Sequence, residues 1–409
     1  MKKIFKYFFI IILVIIFGSA FSTSYSSLNI DNIAIVVALG LDVSENNNLK
    51  LSFQFTNPTS VSGKESGSSE QSPSIIYTVN ASSISTGINM MNSYISKKIN
   101  LSHCKLIAFS EELAIHGIED EVYSLINEIQ IRPSTNIAVT KCSANSYLEH
   151  SKPLTENLIT KYYEIFASSS EYTGFVSDST IGDFFNSLNC NTCEPYSILG
   201  GLTSQNNASS TNINSQKDYT IKSNESSLTG QNRAENIGIA VFKKGKLVGE
   251  LNALETLCFL VTKNKVNEFL ISVPDPENKN EYIDIYMLPN NNSNISVNII
   301  NGTPYIKIDY KFDGRIHSMK KNSNYLDNSV LQKISDSCNS YLESAIKSFL
   351  YKTSKNYNTD IAEFGRFAQP DFLTLKEFEA YSWEEKYKDS FFNVKVNSEI
   401  RSSFLLTET

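Results

Sequence analysis

The chain has 409 residues, which is enough for two or three domains, and its hydrophobic content of 41% is ordinary for a globular protein. A formal net charge of −7 argues against the basic face of a nucleic-acid-binding protein, so we expect no nucleic-acid partner. The 6 cysteines are spread thinly along the chain, which excludes a scaffold held together by disulfides.

The amino terminus has the pattern of an export signal. Three lysines precede an uncharged, strongly apolar stretch from Tyr7 to Phe21 that ends in small residues. As a helix this stretch would be about 22 Å long, whereas the hydrocarbon core of a bilayer is roughly 30 Å thick. We therefore expect residues 1–24 to form a signal peptide or a short membrane anchor, and the pattern leaves cleavage and anchoring both open.

The region 28–202 is predicted to be an α+β domain in which strands and helices alternate. Apolar runs and period-two alternation predict the strands, and apolar residues at helical spacing predict the helices. The predicted strands are 31–43, 49–56, 75–79, 105–109 and 136–141, and the predicted helices are 82–99, 119–131, 155–168 and 180–188. Because the region begins with a hairpin, we expect a sheet with helices on one face.

Residues 203–235 are predicted to be a flexible linker, because Ser, Asn, Thr and Gln dominate the stretch and few apolar residues are available to bury. A second α+β domain is predicted over 236–405. Its predicted elements are a strand, turn and strand from Ile237, a helix from about Ala253, strands 268–273, 282–288, 294–301 and 304–312, a long helix 325–351 and a closing strand 391–400. Short connections make the middle strands antiparallel. The expected fold is thus multi-domain α+β, with mixed and antiparallel sheets and packed helices.

The sequence contains no motif typical of an enzyme. The 4 histidines lack metal-ligand spacing, and the phosphate-binding and nucleophile-elbow motifs are absent. Glu111 and Glu112 are adjacent carboxylates, but they follow a strand where a helix start favours acids. Cys190 and Cys193 form a lone C-x-x-C motif, and whether they pair stays open. We expect no catalytic residues, no cofactor and no metal.

Two further features are candidates for binding. Trp383 and Tyr387 lie four residues apart and are either aromatic contacts for a partner or the residues that pack a helix onto a sheet. Gly200 and Gly201 indicate a turn or, as an alternative, a place where the backbone approaches a ligand.

Four segments resemble the Ger(x)C family, the C subunits of GerA-type germinant receptors of endospore-forming bacteria. They are Asn32–Asp42 (NIAIVVALGLD), Leu101–Ala114 (LSHCKLIAFSEELA), Gly238–Thr256 with AVFKKGKLVGEL, and the run from Asp360 to Arg401 that contains DIAEFG and the tryptophan. They occur in the family's order and cover nearly the whole exported chain.

The resemblance implies a non-enzymatic receptor subunit on the outer face of the spore inner membrane, associated with two integral membrane partners, the A and B subunits. It also implies a lipid-carrying cysteine shortly before the first strand. Ser24 stands at that position, and a serine hydroxyl does not replace the thiol in lipid transfer. The alternative is an extracytoplasmic small-molecule-binding protein that captures the nutrient itself, with Gly200, Gly201 and aromatic-rich helices around its pocket.

Overall fold

The structure is a computed structural model that describes residues 12, 32–45, 48–56, 74–152, 158–203, 219–226, 228, 230, 233–277, 281–318 and 327–401. The predicted signal or anchor segment, including Ser24, therefore lies outside the described residues except for Ile12. Within the described ranges, no helix has both the length and the apolar character needed to cross a bilayer.

The first sheet is mixed, with a parallel centre. Its strands are β1 (Ile33–Val43), β2 (Leu49–Thr56), β3 (Ser74–Ala81), β4 (Lys98–Asn100), β5 (Leu106–Ser110), β6 (Asn136–Thr140), β7 (Tyr196–Leu202), β8 (Ala234–Lys243) and β9 (Lys246–Leu251). They lie in the order β3-β2-β1-β5-β6-β7-β8-β9, and the short β4 pairs with β1. β1, β5, β6 and β7 run parallel, whereas β2 with β3 and β8 with β9 add antiparallel strands at the two ends.

Helices cover both faces of this sheet. Their bounds are α1 (Ile84–Ile95), α2 (Glu111–His116), α3 (Glu119–Asn127), α4 (Ala144–His150), α5 (Ile159–Ile165) and α6 (Ile181–Leu188). α1, α2, α3 and α6 pack on the face that carries large residues such as Phe109 and Val139, and α4 and α5 pack on the face that carries Ala108 and Ala138. The expectation of helices on one face is wrong, because the parallel central strands are apolar on both sides.

The second sheet is formed by the carboxyl-terminal part of the chain. Its strands are β10 (Phe269–Pro274), β11 (Tyr282–Pro289), β12 (Asn294–Ile300), β13 (Thr303–Ile316) and β14 (Phe391–Arg401). β10 to β13 pair antiparallel, and β14 runs parallel to β13 along its length. The long helix α8 (Asn328–Tyr351) packs on the buried face of this sheet, and the short helices α9 (Gly365–Ala368), α10 (Leu375–Tyr381) and α11 (Trp383–Lys386) follow it.

A buried helix joins the two sheets. α7 (Ala253–Thr262) begins at Asn252, which forms a capping box with Glu255, and most of its residues are buried. The ring of Phe259 lies 4.8 Å from that of Tyr196 on β7 and 6.4 Å from that of Phe349 on α8, measured between centroids. One continuous apolar core therefore extends from the first sheet into the second.

Strand pairing crosses the predicted domain limit. β8 begins in the last two residues of the predicted linker, 203–235, and β9 follows it, yet both strands complete the first sheet through β7. The structure also differs from a flexible linker at 219–226, because the backbone there is paired. The carbonyls of Tyr219 and Ile221 accept hydrogen bonds from Leu254 and Ala253, at 2.7 and 3.0 Å. The predicted limits, 1–24, 28–202, 203–235 and 236–405, stay a prediction.

We expect Phe259→Ala to lower the free energy of unfolding by about 3–5 kcal/mol, because its ring fills the space between the two sheets. Phe367→Ala is the matched control, since that ring is 44% exposed, and its loss should stay below about 1 kcal/mol. Urea denaturation of both variants measures the difference. Equal losses would contradict the role given to Phe259.

Candidate functional site

A cluster of lysines and glutamates lies where the parallel strands end. Glu111 directly follows β5 and Lys141 directly follows β6, so both sit at the carboxyl edge of the sheet, the edge where α/β proteins bind ligands. Glu250 reaches the same place from β9. The Lys141 Nζ atom lies 2.8 Å from Glu111 Oε1 and 2.6 Å from Glu250 Oε1.

Distant parts of the chain converge on Glu250. Lys222, from the stretch predicted to be a linker, places its Nζ atom 2.9 Å from Glu250 Oε2. Lys352 donates to the backbone carbonyl of Glu250 at 2.9 Å and to Glu255 Oε2 at 2.7 Å, and Tyr357 donates its hydroxyl to the same carbonyl at 2.9 Å. The cluster therefore ties the first sheet to the segment that follows α8.

A π-helical turn brings Lys352 and Tyr357 to the cluster. The turn, Lys352–Tyr357, continues α8, and turns of this kind are frequent at functional sites. The Tyr357 ring lies directly over Gly249 of β9, where a Cβ atom would come within 2.2 Å of the ring. Only glycine at position 249 allows this close approach.

The charges in the cluster hold one another ionised. Burial by itself raises the pKa of Glu250, but the ion pairs with Lys141 and Lys222 outweigh it, and the pKa is lowered. Burial lowers the pKa of Lys141 and of Lys222, whereas their hydrogen bonds to the carboxylates raise it more, so the pKa of each lysine is raised. Glu250, Lys141 and Lys222 therefore stabilise one another as ions, and their pairs clamp separate stretches of the chain together.

A cavity of about 460 Å³ opens beside these ions. Its wall combines charged and apolar side chains, and two of the apolar ones, Ile115 and Val248, are exposed. The lining residues are Glu111, Ile115, Lys141, Lys222, Leu247, Val248, Gly249, Glu250, Lys352 and Tyr357. Charges of both signs therefore lie beside apolar side chains in the wall of this cavity.

The structure places the aromatic pair predicted from the sequence in the core. Trp383 is 2% exposed and Tyr387 is 1% exposed. The indole Nε1 of Trp383 donates to Asp360 Oδ2 at 2.9 Å, and the same carboxylate accepts from the backbone of Phe364 and Gly365. Burial raises the pKa of Asp360 to about 6 in spite of these bonds. Both aromatic residues thus pack in the core in this conformation, and their role as partner contacts stays a prediction.

The remaining motifs from the sequence lie outside the cavity. Cys190 and Cys193 form a disulfide in the loop between α6 and β7. Gly200 and Gly201 belong to β7, so the turn interpretation is wrong. A Cβ atom on Gly200 would meet the Tyr147 ring at 3.1 Å, and one on Gly201 would meet the Asn224 nitrogen at 2.9 Å. These glycines admit neighbouring protein atoms rather than a ligand.

Sequence reasoning found only Glu111 of this cluster. Its neighbour Glu112, the other half of the adjacent pair, is not part of the cluster. The missed residues come from four separate stretches of the chain, and the available signal was that a charged residue follows each of two neighbouring parallel strands. Anywhere in the described ranges, this cluster included, no group of three or more His, Cys, Asp or Glu is arranged to hold a metal ion.

The two sheets, which are joined by α7 and by the ion pairs around Glu250, define a two-lobed α+β protein. Its two halves match two families in chain order: residues 26–198 match "Spore germination protein N-terminal domain", and residues 237–403 match "Spore germination B3/ GerAC like, C-terminal". The chain is 22% identical over 380 residues to spore germination protein KC of Bacillus subtilis (strain 168), covering 91% of this chain and 90% of that protein. The crystal structure of the GerBC protein has the same fold, with a TM-score of 0.53, 16% identity and coverage of 88% of this chain and 96% of that chain. The chain therefore belongs to the Ger(x)C family of spore germination proteins, as the resemblance predicted.

We expect Glu250→Gln to lower the free energy of unfolding at pH 7 by about 1–3 kcal/mol, because it leaves Lys141 and Lys222 without their shared counter-charge. Since the pKa of Glu250 is lowered, its stabilisation is present above the ordinary glutamate range and is lost as the pH falls through the folded-state pKa. The difference between variant and wild type should shrink accordingly in acid. Asp309→Asn, which breaks the more exposed pair with Lys307, is the control and should cost less than about 1 kcal/mol.

Glu194 is a buried carboxyl with the opposite behaviour. It accepts a hydrogen bond from the backbone of Lys244 at 3.2 Å, and burial together with the nearby Glu384 raises its pKa from 4.5 to about 7. A raised pKa favours folding below the unfolded value, and this contribution is lost as the pH rises through about 7.

We therefore expect Glu194→Gln to be more stable than the wild type at pH 8, by on the order of 1–3 kcal/mol. The gain should disappear below pH 4.5, the unfolded value, where both side chains are neutral. Thermal denaturation between pH 4 and 8 measures this. Glu399→Gln, at an exposed pair with Arg401, is the control and should show no such trend. A gain that does not depend on pH would refute the assignment.

Proposed function

We propose that this chain is the C subunit of a nutrient germinant receptor at the outer face of the spore inner membrane and that it acts without catalysing a reaction. The observation that carries the proposal is the match of both halves, 26–198 and 237–403, to spore germination families in the same order. The apolar amino-terminal stretch supports a place at a membrane.

We further propose that the subunit assembles with two integral membrane partners, the A and B subunits, and is required for the response to small nutrients. The two sheets share one core through α7 and are clamped at Glu250, so the lobes form a single platform for contacts. A platform of this kind supports a role in assembly and signal relay.

The cavity beside Glu250 favours a second function, capture of the nutrient by this chain itself. Its paired charges and exposed apolar wall suit an amino acid, whose ammonium and carboxylate would exchange with the internal ion pairs. Isothermal titration of the chain from Leu28 onward with amino acids and sugars distinguishes the two functions. Binding that Glu250→Gln abolishes would favour direct capture.

Deletion of the gene should abolish germination in response to at least one nutrient, measured as the loss of spore optical density and the release of small molecules from the core. The wild-type gene should restore the response, and the A and B subunits should co-purify with a tagged chain from the membrane fraction. Normal germination of the deletion strain with every nutrient tested would refute the proposal.

A further inference from the structure

One edge of the first sheet carries exposed apolar and basic side chains together. Tyr94, at the end of α1, is 73% exposed, and Ile129, just beyond α3, is 97% exposed. Lys97, Lys98 and Arg132 are exposed beside them. We call these five residues the amino-edge patch.

Contacts between their segments place these residues on one surface. α1 and α3 pack against each other, and their carboxyl ends lead to Tyr94 and Ile129. The backbone nitrogen of Leu101, just after β4, donates to Gln130 Oε1 at 2.8 Å, so the loop that carries Ile129 lies against the strand that carries Lys98. The backbone nitrogen of Ile99 in β4 donates to Asn92 Oδ1 at 2.7 Å, which holds the end of α1 against the same strand.

The chain enters the folded body at this same edge. Lys98 on β4 lies opposite Ile33, the first residue of β1. The predicted membrane segment ends at Phe21, so residues 22–32 connect it to β1 and reach at most about 40 Å when fully extended. The edge at which β1 begins is therefore held within that distance of any bilayer that contains this segment.

The chemistry of the patch fits an anionic lipid surface. A tyrosine and an isoleucine with high exposure provide apolar groups that enter the headgroup region, as the apolar residues of interfacial segments do. Three exposed cations belong to the same segments, in which Glu128 is the one acid, so the patch has a net positive charge. Each such cation contributes roughly a fivefold gain in binding to an anionic membrane.

We propose that the amino-edge patch docks on anionic lipid headgroups and sets the orientation of the chain on the membrane. The inference rests on the proposed membrane location and adds to it the contact surface and the lipid class. The carboxyl edge, with its cavity, then faces away from the bilayer, since β1 has 11 residues and extends for about 36 Å between the two edges.

Quenching of tryptophan fluorescence by doxyl-labelled lipid tests the proposal with the full chain in vesicles of phosphatidylglycerol and phosphatidylcholine. Native Trp383 is buried and provides the baseline. Ile129→Trp should be quenched at least twofold more than Glu45→Trp, the matched control at the other end of β1. Equal quenching of the two variants would overturn the orientation.

Charge variants test the lipid class. Lys97→Gln with Lys98→Gln, added to Ile129→Trp, should reduce the quenching, and raised salt or vesicles of phosphatidylcholine alone should have the same effect. Lys311→Gln with Lys395→Gln, at exposed positions of the second sheet, is the control for lost charge and should have no effect. Quenching that is insensitive to both pairs and to salt would overturn the anionic-lipid assignment.

The outcome is separable from that of the proposed function. If the Ile129→Trp chain supports germination while its added tryptophan stays unquenched, the patch is overturned and the receptor role stands. A fluorescence signal from this variant that changes only when the A and B subunits are present would assign the patch to a protein partner and overturn lipid docking. Quenching of the added tryptophan, combined with normal germination after deletion of the gene, would support lipid docking by the patch and refute the receptor role.

Discussion

The pairing of β8 with β7 is the contact on which the rest of the structure depends. It returns the chain to the first sheet after the polar stretch 204–218, and β9 then leads directly into α7. Because α7 is apolar on nearly every side, it needs a sheet on each flank, and Phe259 finds Tyr196 on one side and Phe349 on the other. The second sheet therefore assembles on a helix whose position the first sheet determines.

The charged cluster adds specificity to this apolar contact. An apolar core tolerates small shifts of one layer over another, whereas Glu250 meets its partners Lys141, Lys222 and Lys352 at 2.6–2.9 Å. Half-buried ions that lose a partner incur a desolvation cost, so this geometry disfavours other arrangements of the segment after α8. A relative movement of the two lobes has to break or exchange these pairs.

The sequence predicted most of the strands and helices because each carries its own periodicity, as the alternation in β13 shows. Among the elements it missed are β4, whose first residues it assigned to a helix, β7 and α4. Glycine is typical of turns, but Gly200 and Gly201 lie in β7, where glycine is required because Tyr147 and Asn224 approach the backbone closely.

The cluster around Glu250 could not be predicted because its members are remote from one another in sequence. The role of Trp383 was ambiguous because helical spacing does not distinguish a residue that contacts a partner from one that packs in the core. The polar stretch before β8 was predicted to be flexible because local composition does not reveal long-range contacts. Lys222 binds Glu250 of β9, and Ser223 donates to the carbonyl of Leu199 in β7.

Parallel strands make the two edges of the first sheet chemically different, and the proposed orientation follows from that difference. The amino ends gather Tyr94, Lys98 and Ile129 where the chain arrives from the apolar segment, whereas the carboxyl ends gather the paired ions and the cavity. A bilayer at the first edge leaves the second open to small solutes. The family resemblance implies a lipid-carrying cysteine where this chain has Ser24, and the predicted apolar stretch, about 22 Å long as a helix, is shorter than the hydrocarbon core, so the proposed contact would add attachment that these features do not supply. A basic and apolar patch supplies the second attachment that stable membrane binding requires.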